Sequence, residues 1–172
     1  SWIKFYTNIS REAMGAAIDE AHKQGMKATG HLCSVTFREA VDLHIDDLAH
    51  GGMTASDFIP GKQPDKCPPN SLVATDKGVS GDSPVATSLI AYMIEHGASM
   101  TTTPAVYELF YQNRPVQDPR VLDLMAPEVR TAYVAERTQI DTTTNWPLTA
   151  EGFARSLAFD LERLNELRIS AG

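Results

Sequence analysis

The chain has 172 residues, 42% hydrophobic and 22% charged, an ordinary globular composition and enough length for one domain with a sizeable core. Its net charge of -7 leaves no basic stripe to neutralise phosphates, so nucleic acid is not expected as a partner. No apolar run approaches the ~20 residues that cross a bilayer, so no membrane partner is expected either. The chain opens at Ser1-Trp2, with neither Met nor a signal-peptide pattern, and is read as trimmed or partial. Cys33 and Cys67 are too few for a disulfide framework and wrongly spaced for a zinc finger. Two reduced thiols are expected, with a single bridge between them as the alternative, and the compartment stays open between cytoplasmic and periplasmic or secreted.

Residues 2–7 are rich in aromatic and β-branched types and read as a buried strand. Asn8 and Ser10 supply helix-start chemistry, and Glu12 sits where the helix dipole favours an anion. Met14, Ala17, Ile18 and Ala21 then form one apolar helix face, which Lys23 and Gly25 end. A second strand runs from Met26 to His31. Thr36 and Glu39 make a capping box for a short helix, and a third strand ends at His50. Residues 1–50 thus read as βαβαβ, the alternation of a parallel sheet with helices outside it.

After Gly51-Gly52 the pattern breaks. Residues 53–83 hold Pro60, Pro64, Pro68 and Pro69 and read as a long irregular insertion. Ser83-Pro84 has the form of an N-cap followed by Pro at the first helical position, with Ala86, Leu89, Ile90, Met93 and Ile94 on one face. Ala98 to Thr103 is a fourth strand candidate. A second irregular insertion spans 110–148 and includes a helix from Pro127 to about Arg137. The last helix has Thr149 as cap and an apolar face of Phe153, Leu157, Leu161 and Leu164. Ile169-Ser170-Ala171-Gly172 is read as the start of another strand.

The chemistry lies at the strand ends. Lys4, His31 and His50 each fall late in an apolar stretch, and the ends of neighbouring parallel strands meet on one face. Lys4 has two readings. Near a chain end it snorkels to solvent; alternatively, a desolvated amine reacts with carbon dioxide to give a carbamate, an anionic oxygen ligand for divalent metals. His31 and His50, each alone more typical of structure, together suggest a metal pair suited to Zn, Mn, Fe or Ni. His22 and His96 fall in last helical turns and His44 in a helix-to-strand turn, so all three are assigned to structure. Asp46 and Asp47, adjacent on a strand, point to opposite faces and are read as part of a solvated turn rather than a dyad.

The segments "WIKFYTN…AHKQGMKATGH…AVDLHIDDLAHG" resemble the amidohydrolase superfamily, in its prolidase-like and imidazolonepropionase-like branch. "MIEHGASMTTTP" is similar to the seventh-strand unit of that family, and "LERLNELRISAG" to the helix leading into the eighth. The resemblance implies part of a (β/α)8 barrel, approximately strands four to seven, with residues 1–172 as one partial domain. It implies metal ligation by a carboxylated Lys4, His31 and His50, with one or two divalent ions, zinc first among them. The implied function is hydrolysis of an amide or peptide bond in a small substrate, a dipeptide or N-acyl amino acid, by a metal-activated water. The first-strand H-x-H of the family has no counterpart here, and the eighth-strand Asp expected as general base lies beyond Gly172. The competing expectation is a non-catalytic, incomplete fragment that binds metal weakly or acts as an assembly unit, partnered by a second copy or by the rest of the barrel.

Overall fold

The structure, a computed structural model, describes residues 1–80 and 83–170, with side chains up to residue 161. β1 (Trp2–Phe5) leads through α1 (Arg11–Lys23) to β2 (Lys27–Gly30), and α2 (Phe37–Asp42) leads on to β3 (Asp47–Ala49). Local chemistry sets these bounds. Ser10 accepts the Ala13 N–H at 3.2 Å, and Thr36 with Glu39 forms the reciprocal capping box. Gly25, at φ +68°, provides the left-handed turn into β2. The strands are shorter than the sequence suggests, so His31 and His50 stand just past β2 and β3 rather than within them.

Residues 53–80 hold more regular structure than expected. Two 3-10 turns, Gly51–Thr54 and Ser56–Phe58, precede α3 (Ser71–Gly78). Their anchor is Asp57, whose carboxylate accepts the Phe37 N–H at 2.7 Å and the Arg38 N–H at 3.1 Å, the free donors at the start of α2. A second anchor corrects the reading of the cysteines. Cys33 and Cys67 form a disulfide across a sequence separation of 34, fixing the Pro-rich loop to the segment after β2.

α4 (Pro84–Glu95) begins at Ser83, whose hydroxyl accepts the Ala86 N–H, and leads to β4 (Ser99–Thr101). α5 (Pro104–Tyr107), α6 (Pro119–Leu124), α7 (Pro127–Thr142) and α8 (Ala150–Ser170) follow. α7 outruns its expected end at Arg137 because that guanidinium is buried and well used. It donates to the carbonyls of Leu109 and Tyr111 and to Asp141, one turn further on. The strand expected from Ile169 is absent: α8 continues through Ser170, and Ala171-Gly172 lie outside the described residues. The packed face of α8 also differs from the expected one. Ser156, Phe159 and Asp160 are buried, whereas Leu161 is 57% exposed; the side chain of Leu164 lies outside the described residues.

The fold is α/β, with one four-stranded parallel sheet in the order β1-β2-β3-β4. Its two faces differ sharply. Ile3, Phe5, Ala28, Leu48 and Met100 join the main core with Met14 and Ile18 of α1, Phe37 and Val41 of α2, and Leu89, Ile90 and Met93 of α4. The alternate residues make the other face, where Lys4 pairs with Thr29, Thr29 with Asp47 and Asp47 with Ser99 across the strands. On that face Trp2, Lys4, Lys27, Ser99 and Thr101 are exposed.

Candidate functional site

Lys4, His31 and His50 come together at the C-terminal ends of β1, β2 and β3. Lys4 Nζ lies 3.5 Å from His50 Nε2, and the His31 and His50 rings are 4.6 Å apart, centroid to centroid, in an edge contact. Register explains the convergence. Lys4 sits opposite Thr29, two residues before His31, so each strand brings its functional side chain to the same open face. Lys4 is exposed, so the side chain is not buried as the carbamate chemistry asked, and it reaches the imidazoles from the solvent side.

His50 is held in a defined orientation. Its backbone is left-handed, at φ +78°, and its Nδ1 shares a 2.7 Å hydrogen bond with Thr103 Oγ1. That bond leaves Nε2 as the nitrogen facing Lys4, an outer-partner arrangement of the kind that orients metal-binding histidines. His31 stands between the rings of Tyr6, 4.9 Å away, and His50. Both imidazoles are held below the usual histidine value. Partial burial does most of this for His31, with His50 and Lys4 adding to it; for His50, burial and then Lys4 act, opposed by Asp47. Both rings are therefore neutral at neutral pH and offer a lone pair to a Lewis acid.

Two imidazoles and an amine form only part of a metal shell. Among the described residues, no group of three or more His, Cys, Asp and Glu side chains is placed to hold an ion. A protonated Lys4 donates hydrogen bonds only; as a carbamate it would add the anionic oxygen that the two histidines lack. The donor set fits a divalent metal on that condition.

Several residues around the site carried no recognisable signal in sequence. Asp46 and Asp47 do not belong to a solvated turn. Asp46 accepts from His22 Nε2 at 2.9 Å and from the Ala28 N–H at 2.8 Å. Asp47 is buried, and accepts from Thr29 at 2.6 Å and from Thr101 at 2.8 Å. Ser99 Oγ lies between Asp47 Oδ1, at 3.1 Å, and the Asp46 carbonyl, at 2.9 Å. Asp160 arrives from α8. One of its oxygens accepts the Gly52 N–H at 2.9 Å, and the other accepts from the Thr102 hydroxyl. Burial pushes its carboxyl up, against the pull of those two donors. Gly51-Gly52 was the one available hint. A Cβ on Gly51 would run into the Asp160 carboxylate and one on Gly52 into the Phe159 ring, so the pair marks the close approach of α8.

Tyr107, its ring centroid 6.4 Å from that of His50, lines a cavity of about 200 Å³ together with His31. Comparison of the chain with protein-family models, with curated proteins and with solved structures finds no match in any of the three.

Proposed function

We propose that this chain is the strand-four-to-seven portion of an amidohydrolase-type (β/α)8 barrel. On this reading Lys4, His31 and His50 contribute to a centre of one or two divalent ions, zinc first. The centre serves hydrolysis of an amide or peptide bond in a small substrate, a dipeptide or N-acyl amino acid. The observation that carries the proposal is the meeting of those three side chains at the C-terminal ends of three adjacent parallel strands. Barrel enzymes assemble their sites from that end.

The sheet itself supports the barrel part. Its strands follow in sequence order, all parallel, as successive barrel strands do. Parallel sheets are almost always covered on both faces, yet one face here carries Lys4, Lys27, Ser99 and Thr101 to solvent. In a barrel that face looks inward, and β1 and β4 each pair with a further strand. The Cys33–Cys67 bridge suits an oxidising compartment.

The residues divide the chemistry as follows. A bound divalent ion lowers the pKa of a water ligand and polarises the amide carbonyl. Thr103, bonded to His50 Nδ1, would leave Nε2 free to hold such an ion. Lys4, if carboxylated, would supply the negative oxygen, and Tyr107 packs against the flank of His50. The proton carrier belongs to a further barrel strand.

Elemental analysis of the gently purified protein tests the centre, with Lys4→Ala, His31→Ala and His50→Ala beside it. Stoichiometric zinc or manganese in the parent, lost in each folded variant, is the expected result. A carbamate carbon signal after ¹³C-bicarbonate labelling, lost in Lys4→Ala, is expected with it. No metal uptake by a folded parent sinks the proposal. A second reading draws on the same open face: a non-catalytic unit whose exposed face is covered by another copy. Metal-free protein that sediments as a dimer, with Trp2 protected on association, would favour it.

A further inference from the structure

We propose that the cavity beside His31 is a recognition pocket for one neutral, ring-sized side chain bearing a hydroxyl at its tip, a phenol. Calling its occupant part of a substrate rests on the hydrolase reading; the pocket's own selectivity does not. The cavity holds about 200 Å³, and an apolar cavity of ~150 Å³ already accepts a benzene ring. Its apolar walls are Leu32, Met53, Leu72, Tyr107 and Phe110, contributed by 3-10 turns and α3 among other segments; it opens to solvent, and His31 joins it to the metal-competent cluster. Among the described residues no Asp, Glu, Lys or Arg lines it. A carboxylate or guanidinium seated against these walls loses hydration without gaining a counter-charge there, so neutral side chains are favoured.

The tip is read by one of the hydroxyls that line the cavity. Thr7, Thr54, Ser56, Ser71 and Thr75 all reach it, but Ser56 is 2% exposed and its buried Oγ has no hydrogen-bond partner among the described residues. Buried hydroxyls are ordinarily paired, and Ser56 belongs to the lining of this cavity, so an occupant is the partner it lacks. A ring ending in a hydroxyl completes the pair, whereas a plain hydrocarbon ring leaves Ser56 as it is. Gly51 and Gly52, in the preceding 3-10 turn that carries Met53, lie close against Asp160 and Phe159 of α8, which holds the Met53 wall in place. Specificity therefore resides in Ser56 for the tip and in Leu72 and Phe110 for size.

The test is a titration of the metal-free protein with p-cresol, toluene and p-toluate, followed by ¹³C-methyl NMR of Met53 and Leu72. The expected result is that p-cresol shifts both methyl signals and binds roughly fivefold more tightly than toluene, about the value of one neutral hydrogen bond. p-Toluate leaves the signals in place. Ser56→Ala should erase the preference while keeping toluene binding. Leu72→Trp, which fills the cavity, should abolish both and leave zinc stoichiometry unchanged, which keeps the proposal testable if Ser56→Ala does not fold. Equal binding of all three probes, or no shift at Met53 and Leu72, overturns the pocket. Because no metal is present, that failure is separate from failure of the zinc measurement: zinc without cresol binding removes only the pocket, and cresol binding without zinc removes only the hydrolase.

Discussion

The two faces of the sheet are built from the same four strands by alternate residues, yet they are held by different forces. On the helix side Leu48, fully buried, belongs to a core cluster that draws side chains from α1, α2 and α4. On the open side the row Lys4, Thr29, Asp47 and Ser99 is organised by hydroxyl-to-carboxylate hydrogen bonds and ends at two imidazoles. The helix side supplies the apolar core; the open side is joined by polar contacts, several of them at exposed residues. That separation leaves chemistry at the strand ends free to differ while the scaffold stays. Substitutions on each face measure it.

The largest effect is expected at Leu48→Ala. The side chain is central in the core and its neighbours come from rigid elements, so the loss should approach ~4–5 kcal/mol, measured by urea unfolding. A loss below ~1 kcal/mol would mean that the core does not close over β3 as described. The Cys33–Cys67 bridge comes next. Its sequence separation of 34 corresponds, in the chain-entropy account, to about 3–4 kcal/mol. Cys33→Ala with Cys67→Ala should lower the unfolding midpoint accordingly, and limited proteolysis should then cut first in residues 59–70. Unchanged stability under reductant would detach that loop from the fold's energetics.

Asp47→Ala should cost less, about 1–2 kcal/mol, because Ser99 and Thr101 are exposed and can turn to water once their acceptor is gone. Asp47→Asn, which keeps one acceptor oxygen, should recover part of the loss. This residue also marks how far sequence could see. The βαβαβ start was legible because Met14, Ile18 and Ala21, the Ser10 cap and the Thr36–Glu39 box are local signals that tertiary packing did not override. The strand-end positions of Lys4, His31 and His50 followed from the same alternation. Asp47 was misread because its burial depends on Thr29 and Thr101, donors from two other strands that no local window contains. The disulfide, the tie of Asp57 to α2 and the approach of Asp160 to Gly52 are likewise long-range pairings. In α8 the apolar period pointed to Leu161, but the packed face carries Ser156 and Asp160, polar residues chosen by what they meet.

The smallest effect is the most specific to the open face. His31 and His50 are both held below the usual histidine value, by partial burial first and by Lys4 in common. Between their folded values and the ~6.5 of an unfolded chain, the unfolded state binds more protons, so stability is gained as pH rises. The contribution is complete above about pH 6.5 and is lost as pH falls through the folded values. Both rings retain contact with solvent, so screening keeps the combined effect under about 1 kcal/mol. Urea midpoints compared near pH 7.5 and near pH 5 should therefore fall on acidification, and His31→Gln with His50→Gln should flatten that slope. Leu48→Ala should shift the midpoints at both pH values alike, since no titrating group is involved. Zinc sharpens the contrast. A metal that needs neutral imidazoles stabilises the folded chain near pH 7.5 and loses its hold near pH 5, so added zinc should steepen the pH dependence of the parent and leave the double Gln variant unmoved. A zinc-induced rise that persists in that variant would place the ion elsewhere on the molecule and leave the open face with hydrogen bonding alone.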